Sequence, residues 1–214
     1  MTLIIGIIAF ILAITIHEAA HAWMADKLGD PTARLMGRLS LNPIVHYDPV
    51  GTTMLMVLVF MREVLKLPVI PFGWAKPVIF DPYNLKNPRR DSALISFAGP
   101  LANMSMAVVL SLILRILPGV SILVYALTPV IFLNVILAFF NLVPIHPLDG
   151  GKIFVGLLPE KEAYEADLFL KRYGIIILLF LIFPTIGGTS PLFSVLGPIV
   201  NFVVRLLIPG NPLV

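Results

Sequence analysis

The chain has 214 residues, 58% of them hydrophobic and only 13% charged, with a mean hydropathy of +0.98. That balance excludes a soluble globular protein and points to a single integral-membrane domain over 1–214. With no cysteine there is neither disulfide nor thiolate ligand, so a bound metal must rest on His and carboxylate. The net charge of +3 reads as loops lying against anionic membrane lipid, with no nucleic-acid partner expected.

Leu3 to Met24 is an apolar run of about 22 residues, enough for a spanning helix. It is not read as a cleavable signal. Its start lacks a basic residue, and its apolar core runs into HEAAH where a cleavage site would have to lie. At a four-residue spacing His17 and His21 share one helix face and can bind a single metal ion. Glu18 projects beside them. With zinc on the imidazoles, its carboxylate can take a proton from a bound water and create a nucleophile. Ala19 and Ala20 keep the helix narrow, so another element can bring a further ligand. His17 lies about 21 Å along the axis from Leu3, within the bilayer.

Ala25 to Asp48 is polar, and the partial alternation of TARLMGRLSL fits a short strand pair. Val50 to Met61 is apolar but too short to cross about 30 Å, which makes it a re-entrant or interfacial segment. Leu67 to Asp91 is rich in Pro, Gly and aromatics and reads as extended structure on the membrane surface. Ser92 to Leu117 and Ser121 to Phe140 form a helical hairpin around Pro118–Gly119. Within FAGPLAN, Ala98, Gly99 and Ala102 have the spacing of tight helix contact in lipid, and Asn103 is either interhelical glue or a substrate contact.

The second hairpin helix ends in NLVPIHPLDGG, residues 141 to 151. Asp149 is costly there unless paired or bound to a metal. It is the best-placed third ligand to join His17 and His21, because the following Gly150 and Gly151 free the backbone, with His146 as its competitor. Glu160 to Arg172 is a charged interfacial stretch. Two further apolar runs, Tyr173 to Phe183 and Pro191 to Ile208, are interrupted by Gly187, Gly188 and Pro198. The fold class is therefore all-α and polytopic, with about five or six membrane helices, one re-entrant segment and a small β or extended surface element. The catalytic core covers about 3–158 and C-terminal helices about 160–208.

These residues resemble the site-2 protease family of intramembrane zinc metalloproteases. The resemblance rests on HEAAH, FAGPLAN and NLVPIHPLDGG in that order, with GWAKPV and LKNPRRD similar to the compact bacterial and archaeal branch without PDZ or CBS domains. It implies that His17, His21 and Asp149 hold one zinc ion, that Glu18 is the general base, and that Asn141 lies near the reacting carbonyl. The family more often has Pro where this chain has His146. The implied partner is a transmembrane protein substrate, cleaved within or near its membrane segment.

If His17 and Asp149 share a metal, segment 50–61 enters and leaves by one face. Nine Lys and Arg in 25–91, four in 142–173 and Arg205 then fall on the metal side, leaving Arg115 opposite. The positive-inside rule puts that side in the cytoplasm and the N-terminus outside, in a multi-pass cell-membrane protein. A metal-ion transporter and an inactive scaffold of the same fold are the alternatives. Transport needs polar steps across the whole bilayer, whereas the helix 92–117 offers little beyond Asn103, small hydroxyls and Arg115.

Overall fold

The computed structural model describes residues 2–67, 73–117, 121–183 and 190–208. Among them the α-helices in chain order are α1 (Thr2–Leu28), α2 (Thr32–Leu35), α3 (Gly51–Glu63), α4 (Pro88–Ile116), α5 (Ser121–Asn141), α6 (Asp149–Leu157), α7 (Glu160–Ile182) and α8 (Pro191–Leu207). Three of them, α1, α4 and α5, are long and apolar enough to cross a membrane, fewer than the five or six expected, while α3 and α8 are shorter apolar helices. The turn at Pro118–Gly119, the Gly187–Gly188 interruption and positions 68–72 of the Pro-rich segment lie outside the described residues.

Helix α4 is the central post, packed against α1, α5 and α6. Its buried face includes the row Ile95, Gly99, Asn103, Ala107 and Ser111, one residue per turn. After Ile95 every member of that row is small or an amide, so neighbouring backbones approach closely, which is how helices associate where lipid removes the hydrophobic drive. Ala107 packs with Ile131 and Val135 of α5 and with Val200 and Val204 of α8. A second apolar cluster joins Ile145 and Leu148 to Leu178 of α7 and to Leu192 and Leu196 of α8.

The strand pair expected in TARLMGRLSL is absent. Thr32–Leu35 is instead one helical turn. The cause is Asp30, fully buried, whose carboxylate accepts hydrogen bonds from Thr32 N and Oγ1, from Asn84 Nδ2 and from the Asp81 backbone. That carboxylate takes the first free amide of the turn, Thr32 N–H, and favours the chain's entry into it. No strand occurs among the described residues. The stretch 73–81 is extended but pairs with loop and side-chain acceptors: Lys76 N–H donates to His46 O, and Val78 N–H to Glu18.

Three further differences bear on the site. Gly150 and Gly151 are helical and follow Asp149 in the first turn of α6, where a Cβ on Gly150 would lie 2.2 Å from Val143 O and one on Gly151 2.8 Å from His146 N. Their smallness serves close packing, not a turn. The charged run from Glu160 and the apolar run after Tyr173 form one continuous helix, α7. Arg205 is at the end of α8 where Leu206 O accepts from Arg115 Nη2 at 2.6 Å and Leu207 O from Ser111 Oγ. It therefore sits with Arg115 at the end of α4 away from the histidines, not on their side.

Candidate active site

HEAAH is embedded in α1, and both imidazoles are buried, at 4% exposure for His17 and 7% for His21. The α4 backbone presses against them at Gly99: a Cβ there would lie 2.5 Å from His21 Nε2 and 2.7 Å from His17 Cε1. Each ring is anchored through Nδ1. His17 Nδ1 is 2.6 Å from Asn103 Oδ1, and His21 Nδ1 donates to Ile95 O at 2.7 Å. The rings stand edge to face, with centroids 4.6 Å apart.

Asp149, the first residue of α6, completes the cluster. Its Oδ2 lies 3.0 Å from His17 Nε2 and 3.1 Å from His21 Nε2. Among the described residues these three side chains form the one group able to hold a metal ion, with ligand atoms all within 4.8 Å of one another. With both Nδ1 atoms donating to oxygen, two ring lone pairs and a carboxylate face one point, and that point calls for a positive charge.

Glu18 is half-buried beside the cluster, and its Oε2 accepts the Val78 N–H at 3.0 Å. The extended segment carrying Val78 also borders a cavity of about 670 Å³, lined by Phe80, Arg89, His146, Lys152 and Asp167 among others.

Of the other sequence-derived candidates, His146 and Asn141 have hydrogen-bond partners outside the His17, His21 and Asp149 cluster. His146 Nε2 meets Asp167 Oδ1 at 3.3 Å, and Asp167 also pairs with Lys171 Nζ at 2.6 Å. Burial pushes the His146 imidazole below its usual pKa in spite of Asp167. Asn141 Nδ2 donates back to Leu137 O of its own helix at 3.1 Å. Asn103 touches His17 directly. Sequence reasoning missed Asn134, although an amide amid the apolar run of α5 was a signal. It also missed Val78, which takes part only through its backbone.

The sequence profile of Peptidase family M50 matches residues 120–183. YwhC of Bacillus subtilis (strain 168) is 35% identical over 204 residues, covering 91% of this chain and 85% of that protein. Rip2 of Mycolicibacterium smegmatis is 28% identical over 186 residues, covering 84% and 66%. Both carry the name "Putative zinc metalloprotease". Stage IV sporulation protein FB of Bacillus subtilis is 28% identical over 162 residues, covering 73% of this chain and 54% of that protein. No solved structure matches. A likeness to YwhC that runs nearly end to end in both chains, over the helices that bring His17, His21 and Asp149 together, makes this chain a member of peptidase family M50.

Proposed function

We propose that this protein is a zinc-dependent intramembrane endopeptidase acting on transmembrane segments of other membrane proteins. The observation that carries this reading is the convergence of His17, His21 and Asp149 with Glu18 beside them, on a helix able to cross a membrane. The donor set fits zinc. Two imidazole nitrogens and one carboxylate oxygen form a common catalytic ligand set, and ligands at about 2.0 to 2.1 Å in a tetrahedron stand roughly 3.3 Å apart, close to the separations of Asp149 from each histidine.

His17, His21 and Asp149 hold the ion. Zinc supplies the Lewis acidity that makes a water nucleophilic near neutral pH and polarises the scissile carbonyl. Glu18 carries the proton: it accepts one from the attacking water and passes it to the amide nitrogen that leaves as the C–N bond breaks. Asn141 and Asn103 are assigned supporting roles, the first near the substrate carbonyl and the second on His17. A substrate helix must unwind to expose its amide. The segment 73–81 uses the Lys76 and Val78 N–H groups on one edge, and a substrate strand adds along the other.

The thirteen Lys and Arg in 25–91 and 142–173 favour the metal side as cytoplasmic, with the N-terminus outside. The test of the function is co-expression of wild type and Glu18→Gln with single-pass membrane proteins. A shortened product made by wild type alone supports the reading. A product made equally by both variants, or by neither across a broad panel, sinks it.

A further inference from the structure

Asn103 of α4 and Asn134 of α5 are both fully buried, at 0% exposure. An amide at membrane depth is costly unless its donors and acceptor are met. These two form a continuous chain. Asn134 Nδ2 donates to Val130 O at 2.8 Å, and Asn134 Oδ1 accepts from Asn103 Nδ2 at 2.8 Å. Asn103 Nδ2 also donates to Ala13 O at 2.8 Å, while Asn103 Oδ1 lies 2.6 Å from His17 Nδ1.

The polarity of this chain is fixed at two points. Val130 O and Ala13 O are backbone carbonyls and can only accept, so each dictates which end of its amide is nitrogen. Flipping either asparagine would set oxygen against oxygen. Asn103 therefore presents oxygen to His17, and His17 must donate from Nδ1. A neutral imidazole protonated there carries its lone pair on Nε2, the atom that faces Asp149. With Asn103 reversed, the proton would move to Nε2 and the ring would cease to be a ligand.

We propose that Asn134 is a positioning residue for the metal site, acting through Asn103 to hold His17 in the tautomer that offers Nε2 to the metal. The inference rests on the reading of His17 as a ligand. It applies to one ligand only: His21 is set by the Ile95 backbone carbonyl and needs no side-chain relay. In this way the packing of α5 against α4 reaches a ligand on α1 that α5 does not supply.

The test uses the purified full chain, with zinc affinity read by chelator competition, the Co²⁺ absorption spectrum as a signature of ligand geometry, and thermal unfolding as a check on fold. Asn103→Leu should weaken zinc about 10- to 100-fold, and Asn134→Leu about 10-fold, with altered Co²⁺ bands in both. The double variant should be no weaker than Asn103→Leu alone, because Asn134 works through it. Asn134→Thr, whose hydroxyl can donate to the carbonyl four residues back and still accept from Asn103, should stay within roughly threefold of wild type. If Asn134→Leu does not fold, Asn134→Ala repeats the measurement without overpacking. Wild-type zinc affinity in a folded Asn134→Leu or Asn134→Ala, multiplicative losses in the double variant, or lower thermal stability with an unmoved zinc affinity would each overturn the proposal. His17→Ala separates the two levels: if it keeps zinc, the ligand assignment itself fails.

Discussion

The Val78 backbone N–H donates to Glu18 Oε2 across 3.0 Å, linking an extended segment sixty residues downstream to the carboxylate of the HEAAH helix. A carboxylate on a helix surface has several rotamers, and a fixed donor selects one. The same segment is tied down by Lys76 N–H on His46 O and by Thr52 Oγ1 on Trp74 O at 3.1 Å.

Val78→Pro removes this donor and leaves the side chains around Glu18 in place. Proline after Pro77 suits an extended backbone, so the segment keeps its path. Cleavage should fall about 10-fold through kcat with zinc content unchanged, as for the loss of one orienting hydrogen bond to a charged group. Steady-state kinetics with metal analysis decide it, and wild-type kcat would show that the contact does not orient the base.

Asp149→Ala should strip zinc from the purified protein far more than His146→Ala. Asp149 Oδ2 faces both imidazoles, whereas His146 is engaged with Asp167. Metal content of the two variants reads the difference. Loss of zinc from His146→Ala alone would reverse the assignment of the third ligand.

Gly99→Ala inserts a methyl group 2.5 Å from His21 Nε2. The ring cannot retreat, because its Nδ1 is held on Ile95 O. Either α4 shifts outward, at about 1 to 3 kcal/mol for overpacking, or the imidazole leaves the site. Zinc affinity and thermal stability should both drop, and a variant with wild-type values for both would contradict the packing of α4 on the histidines.

Single cysteines at Lys27, Lys86 and Lys161 in this cysteine-free chain should be shielded from an impermeant thiol reagent on intact cells. One at Arg205, beside the Arg115 end of α4, should be labelled. Opposite accessibility at Lys27 and Lys86 would mean that α3 crosses the membrane. Labelling of the first three with protection at Arg205 would invert the orientation.

His17, Glu18 and His21 could be read from the sequence because their relation is local: a four-residue spacing in a helix fixes their common face. That Asp149 meets His17 and His21 was legible because a carboxylate in an apolar setting needs a partner. The helix it opens was not. Gly150–Gly151 has the composition of a turn yet lies in a helix, where the lack of a side chain lets it pass close to the 142–146 backbone, a tertiary requirement that propensity does not show. The turn at Thr32 was hidden in the same way, since it depends on Asp30 collecting donors from Asp81 and Asn84 fifty residues away. The charge count misplaced Arg205 because α8 meets α4 at the end that only packing reveals.

Asp149 is 132 positions from His17, and Asn103 is 86. During synthesis the HEAAH helix enters the bilayer long before the residues that make it a site exist. A chain halted after α1 carries two histidines with neither their carboxylate partner nor the amide that orients them, and one halted after α4 still lacks Asp149. On the function proposed above, hydrolytic competence waits until the last of these elements docks.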